Sequence, residues 1–322
     1  GSCGFEATGS RLIGSLPRVV ISAPRYRQIS IGALISLSVI IVSGAAVRLT
    51  NSGLGCDDWP NCNSERFVDV SSAHAAIEQV NRLFTGVVVA AVIAAVLGSL
   101  VREGRRRDLV TISWLLVIGV VANALLGAVT VWVDLHPYAV QGHLLLSMGL
   151  IAAGTVLVRR AGEPDGVPRR PTVDSTSRGL AGILLLGTSV AIVTGTVVTG
   201  AGPHAGDEDA VRLGVDIASA ARVHGVSVVA TISIAVVLAV RARAGGPASA
   251  LRPALSIWLF TALLQAAIGY TQYFTGVPAV LVGAHVAGAT AVQLTTVLVL
   301  LDTSRADSEC RAAPPVGVGS HA

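Results

Sequence analysis

Eight stretches of this chain are apolar and long enough to cross a lipid bilayer, which restricts the possible folds more than any other feature. They cover residues 29–47, 75–100, 109–131, 139–158, 180–198, 215–240, 255–274 and 277–301. A hydrocarbon core takes about 20 helical residues to span. It offers no water to the backbone, so each stretch must satisfy its own N–H and C=O groups as an α-helix. Only 13% of the 322 residues are charged and mean hydropathy is +0.70, whereas a soluble domain carries about 25% charge. Residues 1–28 are polar and basic and do not read as a cleavable signal peptide.

All 23 basic residues are arginine. Eighteen of the 23 fall before the first span (Arg11, Arg18, Arg25, Arg27), in the second, fourth and sixth connections, or in the tail. The positive-inside rule puts that side in the cytoplasm, with both termini, and makes the protein a multi-pass inner (plasma) membrane protein. A pI near 9.2 then reflects topology and a basic face toward anionic membrane lipid, with no nucleic-acid partner required. Cys56 and Cys62 share the first external loop, where an oxidising exterior permits a disulfide, while Cys3 and Cys310 fall in the cytoplasmic ends.

The halves repeat. Asn123, Leu126, Gly127 and His143 match Gln265, Ile268, Gly269 and His285 at a constant offset of 142, and Asn81 falls opposite His224 at 143. The stretch Thr50, Asn51, Ser52, Gly53 parallels Thr199, Gly200, Ala201, Gly202. Each half holds four spans, so the expected fold class is all-α: eight transmembrane helices as two pseudo-symmetric four-helix bundles. The organisation is a cytoplasmic segment 1–28, a first half 29–158, a linker 159–178, a second half 179–301 and a tail 302–322.

Polar residues within spans mark functional sites. His143, His224 and His285 stand within the first turns of spans four, six and eight at one depth, and His74 begins span two. Heme fits, because imidazoles from two facing helices can take both axial positions of one iron. His224 and His285 are such a pair, with Arg222 near them either as a propionate partner or as a snorkelling cation. Zinc or di-iron would want further ligands at this depth. His74, Glu78 and Asn81 share one helical face, and Glu78 is the one acidic residue inside these stretches apart from Asp216 at the very start of the sixth. Glu78 reads either as a functional acid or as an ion pair with His74 or Arg82.

These residues resemble heme A synthase, an enzyme family that oxidises heme O to heme A. The resemblance rests on the run from Val47 to Cys56 with Asp58-Trp59-Pro60 and Cys62, on Glu78-x-x-Asn81-Arg82, on His143, on the Thr199 to His204 loop, and on His224 and His285. It implies heme b in the second half on His224 and His285, and heme O in the first half with His143 as its ligand. It also implies Glu78 as an essential acid, an external Cys56–Cys62 disulfide, and partners in heme O synthase and terminal-oxidase assembly factors. The implied reaction turns a ring methyl into an aldehyde by successive hydroxylations. One departure stands out: where the family reads Glu-x-x-His-Arg, this chain has Asn81. The first site is then five-coordinate through His143, or His74 substitutes from two turns away, or Asn81 is an introduced residue. A non-enzymatic b-type cytochrome or heme-handling protein is the competing reading, and two complete bis-histidine sites would favour it.

Overall fold

The computed structural model describes residues 20–243 and 245–306, and its helices follow the apolar stretches. They are α1 (Ala23–Leu49), α2 (Ala73–Val101), α3 (Arg107–Trp132), α4 (Pro137–Ala161), α5 (Ser175–Ala201), α6 (Ile217–Arg241), α7 (Arg252–Phe274) and α8 (Ala279–Leu301). All eight are long and apolar enough to cross a membrane. The chain is an all-α, multi-pass membrane protein.

Helix ends depart from the apolar runs where capping chemistry extends or trims them. The Asp174 carboxylate accepts the Ser177 N–H, so α5 starts at Ser175, ahead of its apolar run. Pro24 sits in the first turn of α1, a position that needs no N–H, and the helix therefore takes in the polar residues before Ile29. α6 begins later than its apolar run, because Asp216 caps Ser219. α8 also begins late, since Val277 adopts φ 58°. α3 starts at Arg107, which brings Asp108 into its first turn beside Glu78 as a second acid within a spanning helix.

Within the first half, α1 packs on α2 and α4, and α3 packs on α2 and α4. In the second, α5 packs on α6 and α8, and α7 on α6 and α8. Helices α1, α4, α5 and α8 meet between them. One buried cluster gathers Tyr26, Leu37, Val92, Leu116 and Ile151; another gathers Leu184, Leu238, Leu255, Trp258 and Val299. Lipid tails are as apolar as these side chains, so close packing and interhelical hydrogen bonds hold the helices together. The Trp258 Nε1–H donates to Thr296 Oγ1 at 2.6 Å, Thr296 meets Thr188 at 3.2 Å, and Tyr26 Oη meets Ser113 Oγ at 3.0 Å.

The arginine-rich end is tied by ion pairs. Arg102 grips Asp165 bidentately at 2.8 and 2.9 Å, Arg159 pairs with Asp302, and Arg241 pairs with Asp174 at 2.7 Å. The linker, read from sequence as a connection, also forms a strand β1 (Arg169–Pro171), antiparallel to β2 (Ser304–Ala306). Cys3 and Cys310 lie outside the described residues.

Trp258→Ala is expected to lower unfolding free energy in detergent by about 3 kcal/mol, through lost packing. Trp258→Phe should cost about 1 kcal/mol, through the lost bond to Thr296. Equal losses in thermal unfolding would contradict that division.

Candidate functional site

A cavity of about 490 Å³ opens among α1 to α4, with α8 closing one side through Val282 and Val286. That volume is in the range of small-molecule sites. Glu78, Asn81, Arg82 and His143 line it amid mainly apolar residues. His143 enters from α4 opposite Gly127 of α3, where a Cβ would lie 3.2 Å from the imidazole Cε1. Gly269 of α7 faces His285 in the same way, its Cβ position 2.9 Å from Cε1. A side chain at either glycine would press on the ring. Nδ1 of both histidines is buried with no hydrogen-bond partner among the described residues. Asn123 donates to Ser147 Oγ at 3.0 Å, which donates to the His143 carbonyl at 2.8 Å, while Gln265 donates directly to the His285 carbonyl at 2.6 Å. The pairs at offset 142 thus occupy matching places and do matching work.

The His224 and His285 rings face one another, with centroids 6.3 Å apart and planes at 80°. Gly195 of α5 makes room for His224, its Cβ position 3.1 Å from Cε1, and Thr194 Oγ1 stands 3.2 Å from Nδ1. In the first half, Ser43 Oγ donates to Asn81 Oδ1 at 2.7 Å. The neighbouring Gly44 has nothing within 4 Å of its Cβ position. Val42-Ser43-Gly44 and Val193-Thr194-Gly195 are therefore the same element at an offset of 151. This corrects the sequence pairing of Thr50 to Gly53 with Thr199 to Gly202. Thr50 caps α1, whereas Thr199 lies inside α5, although both donate one turn back, Thr50 to the Ala46 carbonyl and Thr199 to that of Gly195.

Glu78 is buried, its Oε2 accepting the Cys56 N–H at 2.8 Å and its Oε1 accepting Arg82 Nε at 3.0 Å and Nη2 at 2.6 Å. Arg82 Nη1 also donates to the Asp58 and Asn61 carbonyls at 2.7 and 3.0 Å. Of the two ion pairs open in the sequence, the structure forms the one with Arg82. The pair anchors a loop closed by the Cys56–Cys62 disulfide, S–S 2.01 Å.

Two sequence candidates are not brought to the site. His74 is exposed, hydrogen-bonded to Ser52 Oγ at 3.0 Å, and off the cavity wall. Arg222 is exposed and donates to the Ala218 carbonyl at 3.3 Å. Lying two residues from His224, it falls on another face of α6. Sequence reasoning passed over Arg48, an arginine at a span end outside the arginine-rich connections. It lines the cavity, its Nε donating to the His204 carbonyl at 2.6 Å and its Nη2 to the Thr199 carbonyl at 3.1 Å. His204 Nε2 in turn donates to the Val277 carbonyl at 2.8 Å, and the Gly53 N–H to the Gly206 carbonyl at 2.9 Å. Loops of both halves are thereby stitched over this end of the cavity.

A more open cavity of about 410 Å³ lies at the arginine-rich end. Its charges pair among themselves, Arg106 with Asp108 at 2.6 Å and Arg169 with Glu163 at 3.4 Å. Among the described residues no group of three His, Cys, Asp or Glu side chains could cage a metal ion.

Fold and site together define a multi-pass helical membrane protein with imidazoles set between its spans at repeat-related positions. The chain belongs to the COX15-CtaA family of cytochrome oxidase assembly proteins, whose family model matches residues 27–75 and 66–206. It is similar to the heme A synthase of Exiguobacterium sibiricum, at 31% identity over 167 residues, 51% of this chain and 55% of that one. It is also similar to that of Lysinibacillus sphaericus, at 29% over 135 residues, 41% of this chain and 44% of the relative. The heme A synthase of Geobacillus kaustophilus matches at 31% over 113 residues, 35% of each chain. The chain spans about half the length, or less, of the curated relatives it matches.

Arg82→Gln is expected to release the disulfide loop, because it leaves Glu78 buried without its cation. Unfolding free energy should fall by about 3 kcal/mol, and limited proteolysis should cut residues 50–72 faster. Unchanged cutting would show that the loop holds without the pair.

Proposed function

We propose that this chain is a heme A synthase. On this reading it holds heme O in the first-half cavity, oxidises one ring methyl to the formyl group of heme A by successive hydroxylations, and keeps heme b in the second half. The two halves form a pseudo-symmetric pair of four-helix bundles with both termini cytoplasmic. Heme O synthase would supply the substrate, and terminal-oxidase assembly factors would receive the product. The observation that carries the proposal is the difference between matched positions. His143 and Asn81 both line one roomy cavity, whereas His285 faces His224. Family membership supports the same reading.

His224 and His285 would hold heme b. Their rings face one another with centroids 6.3 Å apart, and the Nδ1 of His285, unpartnered among the described residues, together with the glycines behind both rings fits a ligand role. Heme b, when bound, supplies reversible one-electron transfer. His143 would hold the substrate iron by a single axial bond, and the apolar walls would keep water from the reacting edge. Asn81, a poor heme ligand tied to Ser43, leaves the opposite face without a strong donor. Glu78, the one carboxylate among the described lining residues, would hold and pass protons, its position fixed by Cys56 and Arg82. An electron carrier would be served better by a second complete bis-histidine site.

Pigment extracted from purified protein and separated by chromatography should contain heme B together with heme O or A. His224→Ala and His285→Ala should each remove the low-spin heme b spectrum, and a normal spectrum in both would refute that ligand pair. Glu78→Gln should abolish heme A formation with heme b retained. Conversion at the parent rate would leave Glu78 as a loop anchor only.

A further inference from the structure

We infer that Arg48 binds the acidic edge of the cavity's ligand: for heme O, a propionate carboxylate. The inference rests on the proposed occupancy of the cavity by a heme. Arg48 stands in the last turn of α1 and lines the cavity. Its guanidinium donates to two backbone carbonyls, those of His204 and Thr199, and has no carboxylate partner among the described residues. The other arginine on the cavity wall, Arg82, is neutralised by Glu78.

Carbonyl dipoles hold the Arg48 guanidinium beside an apolar cavity without cancelling its charge. The only carboxylate among the described lining residues, Glu78, is committed to Arg82 and the Cys56 N–H. The missing negative charge is therefore left for the ligand to bring. A planar guanidinium fork is the side chain best matched to a carboxylate, and a heme carries two propionates on one edge. A single axial bond from His143 also leaves the macrocycle free to turn about that bond. Selecting one ring methyl out of several needs a second point of attachment, and Arg48 supplies it at the disulfide-bearing end. Arg48 is thus a positioning residue for the substrate.

The test titrates the full-length protein in detergent, purified with its second-half heme b in place, with protoheme and with protoheme dimethyl ester, whose propionates are uncharged. The parent should bind the free acid about tenfold tighter than the ester, or more. Arg48→Gln should bring that ratio close to one by weakening the free acid alone, and Arg48→Lys should retain part of it. Parent protein that binds the ester as tightly as the acid would overturn the inference without any variant, which keeps the test open if Arg48→Gln folds poorly. If His143→Ala loses heme from the cavity while Arg48→Gln still discriminates, the Arg48 assignment alone falls. If His143→Ala binds heme as the parent does, the heme lies elsewhere, and the proposed function falls with the inference.

Discussion

Inside a hydrocarbon layer a polar side chain has no water to turn to, and the polar groups within the spans of this chain are placed accordingly. Ser30, Thr155, Thr231 and Thr271 each donate to a carbonyl one turn back on their own helix. Glu78 is buried only together with Arg82 and the Cys56 N–H. His143 and His285 depart from this rule, since room is made for them, yet Nδ1 of each has no partner among the described residues, and the same holds for one amide oxygen each of Asn123, Gln265, Gln272 and Gln293. Asn123 and Gln265 stand beside those two histidines, so their unpaired atoms gather around the imidazoles.

The two halves spend their common framework differently. Gly127 and Gly269 shelter the imidazoles of α4 and α8 alike, and Asn123 and Gln265 reach the carbonyls of those histidines directly or through Ser147. The difference lies on α2 and α6. Thr194 and Gly195 sit against His224, while Ser43 bonds the shorter Asn81 and the space beside Gly44 is free. On the proposed reading, one half closes both faces of a heme and the other keeps one face open for chemistry. Trp59 and Pro60 of the disulfide loop, held by Glu78 and Arg82, line the first-half cavity.

Much of this was legible in the sequence. Apolar length gave eight spans because the bilayer forces one secondary structure on them, and the constant spacing from Gly127 to His143 and from Gly269 to His285 revealed the repeat. Helix ends were less legible: Pro24 and Asp174 extend helices into polar sequence, which hydropathy does not register. The match of Ser43-Gly44 to Thr194-Gly195 was hidden because the loop between α1 and α2 is longer than its counterpart, shifting the offset from 151 to 143 across one connection. The pairing of Arg169–Pro171 with Ser304–Ala306 was invisible, since strands of only three residues, Arg-Arg-Pro and Ser-Arg-Ala, carry no pattern. His74 and Arg222 were drawn in by proximity in sequence, and their exposed placement leaves them out.

The central claim is that the second half closes both axial faces of its heme and the first half only one. Electron paramagnetic resonance of the oxidised protein with heme in both sites tests it directly. The account predicts one low-spin bis-histidine signal and one high-spin signal, the latter turning low-spin in Asn81→His. Two low-spin hemes in the parent would contradict it, because a strong ligand would then stand where Asn81 is taken to leave the face open.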